Sequence, residues 1–122
     1  MGYGAPQQLA TLTAGANLAA KQFTVMKVSA NGICTFADNS AGPLIGLLVN
    51  KPGNGGAACV CVGGTAKGLV GANVTLGTHV MADANGALTP AAANNTYVGV
   101  ALETGIVTEI INVLVQPGWK AA

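Results

Sequence analysis

Laid against itself, the chain matches in four places, in the same order. Gly15 to Leu18 (GANL) recurs as Gly71 to Val74 (GANV), and Val25 to Gly32 (VMKVSANG) recurs as Val80 to Gly86 (VMADANG). Leu44 to Val49 (LIGLLV) recurs as Tyr97 to Leu102 (YVGVAL), and Ala58 to Val62 (ACVCV) recurs as Ile111 to Val115 (INVLV). The offsets are 56, 55, 53 and 53 residues, a drift that small loop deletions explain. Two copies are too few for a solenoid, in which at least three stacked repeats bury each other's faces. The chain therefore reads as one compact domain made of two copies, about 15–63 and 71–116, within a domain spanning 13–118.

Each copy carries the pattern of β structure. Phe23 to Val28 and Ala58 to Val62 alternate with a period of two and are rich in strand-forming residues. Asn31-Gly32 and Asn85-Gly86 predict two-residue type I′ hairpins, in which both central residues take positive φ. Short strands, ICTF and ALTP, follow them. GPLIGLLVN and TYVGVALE are continuous apolar runs, as in strands covered on both faces, and Gly46 and Gly99 within them mark a bulge or a close backbone approach. No long 3.6-residue pattern survives the Gly and Asn punctuation, so helix is limited to single turns at LAAKQ and AAAN. The fold class is all-β, a small compact barrel or tulip-like domain built by duplication.

Composition narrows the function. Ala and Gly supply 40 of the 122 residues, so the 51% hydrophobic content is largely small side chains and the core is thin. A chain of this length still buries roughly 65% of its unfolded surface, enough to fold without metals or disulfides. Five Lys, no Arg and four acids leave a net charge of +1. Lys21, Lys27, Lys51, Lys67 and Lys120 are scattered, without the clustered cations and stacking aromatics of a nucleic-acid groove. So little charge keeps a free monomer poorly soluble and favours a chain that lives assembled.

The N-terminal residues lack a basic segment followed by an apolar core, and no run approaches the ~18 apolar residues of a membrane span. The expectation is synthesis in a reducing cytoplasm, where Cys34, Cys59 and Cys61 stay free. Cys59 and Cys61 share a strand face at C-x-C spacing, but no further ligand lies near in sequence, so they read as small buried hydrophobes and no metal is expected. His79, the one histidine, has no nucleophile and orienting group at a spacing that suggests catalysis. No enzyme activity and no cofactor are expected.

From Gly99 through Leu102 and Glu103, across a small turn to Glu109 and along the alternating strand to Val115, the chain resembles the closing segment of the capsid decoration, or cement, proteins of tailed bacteriophages. VMADANGALTP supplies the hairpin that precedes that segment in the family, and the match spans roughly Leu9 to Gly118. Copy one departs from the pattern at LLVNKPGNGGAACVCVGG, where Lys-Pro, a Gly-rich loop and two Cys replace an acidic residue and a Val-rich strand. The resemblance implies a homotrimer on the outer surface of an icosahedral head, clamping neighbouring major capsid subunits and so stabilising the shell, with no nucleic-acid or membrane partner.

The contact residues expected for such a role lie at the ends and in one loop. Residues 1–12 read as an extended arm, with Gly2, Tyr3, Gly4, Pro6, Gln7, Gln8 and Leu9 able to add a strand to a capsid sheet edge. Lys51, Pro52 and Asn54, with Trp119 in a C-terminal tail of residues 119–122, read as oligomer or capsid contacts. The competing reading is a biotinyl- or lipoyl-type carrier domain, also small and duplicated, with Lys27 of Val25-Met26-Lys27 as the attachment site. That chemistry needs a lysine at the tip of a tight hairpin, whereas the turn signal comes four residues after Lys27.

Overall fold

The structure, a computed structural model, describes residues 7–37, 44–91 and 95–120. Nine strands account for it: β1 (Gln7–Ala14), β2 (Val25–Ala30), β3 (Ile33–Phe36), β4 (Leu44–Leu48), β5 (Ala57–Leu69), β6 (His79–Ala82), β7 (Leu88–Pro90), β8 (Asn95–Ala101) and β9 (Ile110–Lys120). No helix occurs among the described residues, and Leu18 to Gln22 is a chain of turns.

The strands run in the order β1-β3-β2-β4-β5-β9-β8-β6-β7, and an added β1–β5 pairing closes the first five into a barrel. The remaining strands repeat that plan. β1 meets β3 in parallel at Ala14 and Cys34, and Val70, just after β5, meets Leu88 of β7 in parallel. β2 pairs with β3 and β4 as β6 pairs with β7 and β8. The two copies share one strand. Residues 57–63 of β5 close barrel one against β1 and β4, while 64–69 open barrel two against β9. Gly64, at φ +87°, stands where the strand passes from one wall to the other.

Loop hydrogen bonds duplicate too. Leu18 N–H donates to the Pro52 carbonyl and Val74 N–H to that of Gly105, both at 2.9 Å. Phe23 N–H donates to Leu48 and Gly77 N–H to Ala101, both at 2.8 Å. Gly55 N–H donates to Ala14 and Thr108 N–H to Val70, both at 2.9 Å. Phe23 (φ 70°) and Thr108 (φ 72°) are thus left-handed where the other copy has glycine, Gly77 and Gly55. A Cβ there is costly, most of all for a β-branched residue.

Barrel one is filled by Ala14, Leu18, Met26, Cys34, Leu48, Ala58 and Val60, a small core as the composition requires. The corresponding interior of barrel two, including Val70, Val74, Val80, Leu88, Ile111 and Val113, forms one continuous cluster with residues from the outside of barrel one. That continuity comes from the junction. Val25, Leu44, Leu47 and Cys61, on the outer face of barrel one, pack into the cluster that holds Ala66, Ala82, Val98 and Val115. Three hydrogen bonds cross beside them: Val25 N–H to the Gly86 carbonyl (2.8 Å), Leu69 N–H to Phe23 (2.8 Å), and Lys21 Nζ to Asn85 (3.2 Å).

Several expectations change. The repeat register is one residue off in β2: Val25 pairs with Leu47 and His79 with Val100, so Val25 corresponds to His79 and Met26 to Val80. The sequence match had aligned the two Val-Met pairs, but inward and outward positions alternate along a strand, so the barrel enforces the shift. The hairpins are not type I′. Gly32 and Gly86 take positive φ while Asn31 and Asn85 do not, and a bulge between Val28 and Ala30 accommodates the turn. In copy two the Asp83 carboxylate accepts the N–H groups of Asn85 (2.8 Å) and Ala87 (3.0 Å), which favours this wider turn. The arm is shorter than residues 1–12, because Gln7 to Thr13 pair with β5 in the chain's own sheet. The C-terminal tail is shorter as well, since β9 runs through Trp119 to Lys120.

The glycines of β4 and β8 were placed correctly by sequence. A Cβ at Gly46 would collide with the Cys61 carbonyl, and one at Gly99 with that of Leu114, so neighbouring strands approach more closely than a side chain allows. Gly99→Ala is expected to destabilise the fold by ~3 kcal/mol or more, whereas Thr108→Gly, which relieves a left-handed Thr, should stabilise it by ~1 kcal/mol. Urea denaturation followed by circular dichroism checks both.

Candidate interaction surfaces

Among the described residues, the expected contact positions fall on β1, on the loop after β4 and at the end of β9. Gly2, Tyr3, Gly4 and Pro6 lie outside the described residues. Gln7, Gln8 and Leu9 are exposed on β1, and their backbone pairs with Gly64, Gly63 and Cys61 along one edge of the strand. Lys51 and Asn54 are exposed at a loop tip, and Pro52 is buried beneath them with its carbonyl accepting from Leu18. Asn50 clasps that loop: its Nδ2 donates to Ala57 (3.0 Å) and its Oδ1 accepts from Cys59 N–H (3.0 Å). The backbone of Trp119 pairs with Thr96 at the end of β9.

A different surface does gather. Leu76, Leu102, Ile106, Val107 and Ile110, 42–62% exposed, all belong to the loops 71–78 and 102–109 or to the first residue of β9. The Val74–Gly105 bridge joins those loops, as do bonds from Leu76 N–H to Thr104 Oγ1 (3.1 Å) and from Val107 N–H to Asn73 Oδ1 (3.3 Å). Glu109 stiffens the tip by accepting Ile106 N–H at 2.8 Å. By the repeat, this is the place occupied in copy one by Lys51 to Asn54, so one copy ends in polar residues and the other in aliphatic ones. Single exposed aliphatics are ordinary, but five on two tied loops make a candidate interaction surface. Sequence reading missed them because Ile106 and Val107 sit in a turn and Leu76 in another, outside any periodic element.

The residues with reactive side chains are used structurally. Lys27 lies within β2, half-buried and paired on one side with Thr35 and on the other with Leu44, so it is no hairpin tip. The His79 ring packs against that of Tyr97, tilted by 47°, with centroids 4.3 Å apart. Among the described residues no three His, Cys, Asp or Glu side chains gather as a metal site would require. Gln7, Phe23, Leu48, Val49 and Lys67 line a cleft of about 280 Å³ where the copies meet, below the ~300–1,000 Å³ usual for small-molecule sites.

Cys34 lies in the core of barrel one and Cys61 in the junction, and burial raises the pKa of both thiols. Cys61 is held further by donating to the Gly63 carbonyl at 3.1 Å. Thiolate is the reactive form, so native protein should consume thiol reagent at half-buried Cys59 first, with Cys34 and Cys61 reacting only on unfolding. Mass spectrometry after timed alkylation tests this. Equal labelling of all three in the native state would contradict the placement.

Taken together, the fold defines a class: a duplicated double β-barrel with a shared strand and an aliphatic tip. Among solved structures, the crystal structure of the head fiber gp8.5 N base of bacteriophage phi29 has a similar fold, with a TM-score of 0.67 at 15% sequence identity. The similarity covers 91% of this chain and 95% of that one, so both barrels take part. No protein-family model matches the sequence, and no curated protein matches it.

Proposed function

We propose that this chain is a non-catalytic structural protein of a tailed-phage head, made in the host cytoplasm, that decorates and stabilises the icosahedral shell. In this reading it binds the outer surface of the major capsid protein, clamps neighbouring subunits, and does so as a homotrimer. The observation that carries the reading is the correspondence of the whole double barrel with a phage head-fiber base over 91% of the chain. The surface supports it. Lys27, His79 and the three cysteines sit in strands, and the copy-two tip is aliphatic, as suits broad packing against another protein. Three such tips in one trimer would engage three capsid subunits and multiply weak contacts through avidity.

Residues Met1 to Pro6 precede β1, so removing them spares every described strand pairing. In this reading they lie along the shell as an added strand, with Lys51 and Asn54 as neighbouring polar contacts. Purified protein is expected to co-sediment with heads assembled from the major capsid protein of the same phage. Deleting residues 1–6, or replacing Ile106 and Val107 with Glu, should each weaken that binding by tenfold or more, on the order of 1.4 kcal/mol, without unfolding the barrels. Failure of the intact protein to bind such heads would refute the function. Unchanged binding by both variants would refute the surfaces.

A further inference from the structure

The two barrels meet through unlike surfaces. Barrel one gives an outer face, Val25, Leu44, Leu47 and Cys61, and barrel two receives it on a rim formed by Ala66, Ala82, Val98 and Val115. All eight are 0–7% exposed. Because the chain is duplicated, each copy owns both a giving face and a receiving rim. The internal junction uses one of each and leaves one of each over.

The unused surfaces can be named from the strand registers. Val25 and Leu47 pair as His79 and Val100 do, and Leu44 and Cys61 correspond to Tyr97 and Leu114, so the giving face of copy two is His79, Tyr97, Val100 and Leu114. The receiving rim of copy one is Ala10, Val28, Ile45 and Val62, the counterparts of Ala66, Ala82, Val98 and Val115. Every one of these eight is partly exposed, Val28 reaching 36%, where its counterpart is buried. None carries a carboxylate, an ammonium or a guanidinium. Two apolar surfaces, complementary by descent from a contact already made within the chain, are left at opposite ends of the pair of barrels.

We propose that these two surfaces bind each other between chains, the copy-two face of one protomer seated on the copy-one rim of the next, in a head-to-tail contact that reproduces the internal junction. The proposal rests on the self-association stated above and assigns its surfaces. Such a contact is heterologous, and it closes into a ring when the rotation between units allows. In a ring of three chains, three internal junctions alternate with three intermolecular ones. The small cleft and the aliphatic tip stay outside this contact, leaving the tip free for another partner.

The internal junction also supplies the test. Lys21 reaches Asn85 across it, and their counterparts are Thr75 and Asn31, both exposed. Asn31→Cys and Thr75→Cys are made separately in a Cys59→Ala background, then mixed and treated with a short bifunctional maleimide. Covalent dimers are expected in the mixture and in neither variant alone. In sedimentation velocity, Val28→Glu and Leu114→Glu should each weaken association by ~100-fold or more, since each buries a carboxylate without a partner. A protein that stays monomeric as concentration is raised would overturn self-association itself. An oligomer that cross-links like with like, or that ignores both Glu substitutions, would leave self-association standing and overturn the head-to-tail surfaces.

Discussion

Strand β5 belongs to two barrels at once, and the rest of the structure follows from that constraint. Its first half is hydrogen-bonded to β1 and β4, its second to β9, with Gly63 and Gly64 between. A duplicated chain with a linker here would fold as two small units, each near the size at which a single core barely suffices. A continuous strand holds the second copy in fixed register against the first, and the junction then buries four apolar residues from the outside of barrel one. At ~1.5–3 kcal/mol for each fully buried Val or Leu, that face alone contributes as much as a small barrel can otherwise lack.

The same constraint sorts the differences between the copies. Where the junction covers a position, copy one carries Val25, Leu44, Leu47 and Cys61; where the counterpart is partly exposed, copy two carries His79, Tyr97, Val100 and Leu114. The latter set includes two amphipathic rings, packed against one another at a tilt, that tolerate water at one edge. At the loop ends the contrast reverses, since copy one is polar at Lys51 to Asn54 and copy two aliphatic at Ile106 and Val107. The scaffold is symmetric in backbone and asymmetric in surface, which suits a body that meets its own kind and a larger partner through different parts.

Much of this was legible in the sequence, for identifiable reasons. The duplication, the strands around Gly46 and Gly99, and the all-β class are written in local patterns: period-two alternation, glycine where strands crowd, Asn-Gly between short runs. The register of β2 against β6 was not, because VMKV and VMAD match best by letter one residue away from where the barrel aligns them. Turn type failed at Asn85 because the Asp83 carboxylate, accepting the Asn85 N–H, favours a turn that Asn-Gly alone does not specify, and at Asn31 because a bulge between Val28 and Ala30 widens the turn. The extent of β1 was hidden because QQLATLTA has only Leu9 and Leu12 as large apolar residues and pairs with a strand some fifty residues away. The aliphatic tip was invisible for a simpler reason: its two loops, some thirty residues apart in sequence, are brought together by the Val74–Gly105 bridge and the hydrogen bonds beside it.

If β5 makes one body of two barrels, the copies cannot unfold separately. Native-state hydrogen exchange measures that directly, because each amide reports the free energy of the smallest opening that exposes it. Amides of Met26, Val60, Val80 and Val113, spread over both cores, should exchange through one common opening and show a single free energy equal to that of global unfolding by denaturant. Two distinct values, with the barrel-two amides exchanging through an opening that leaves barrel one protected, would show that the shared strand is a linker and contradict the account.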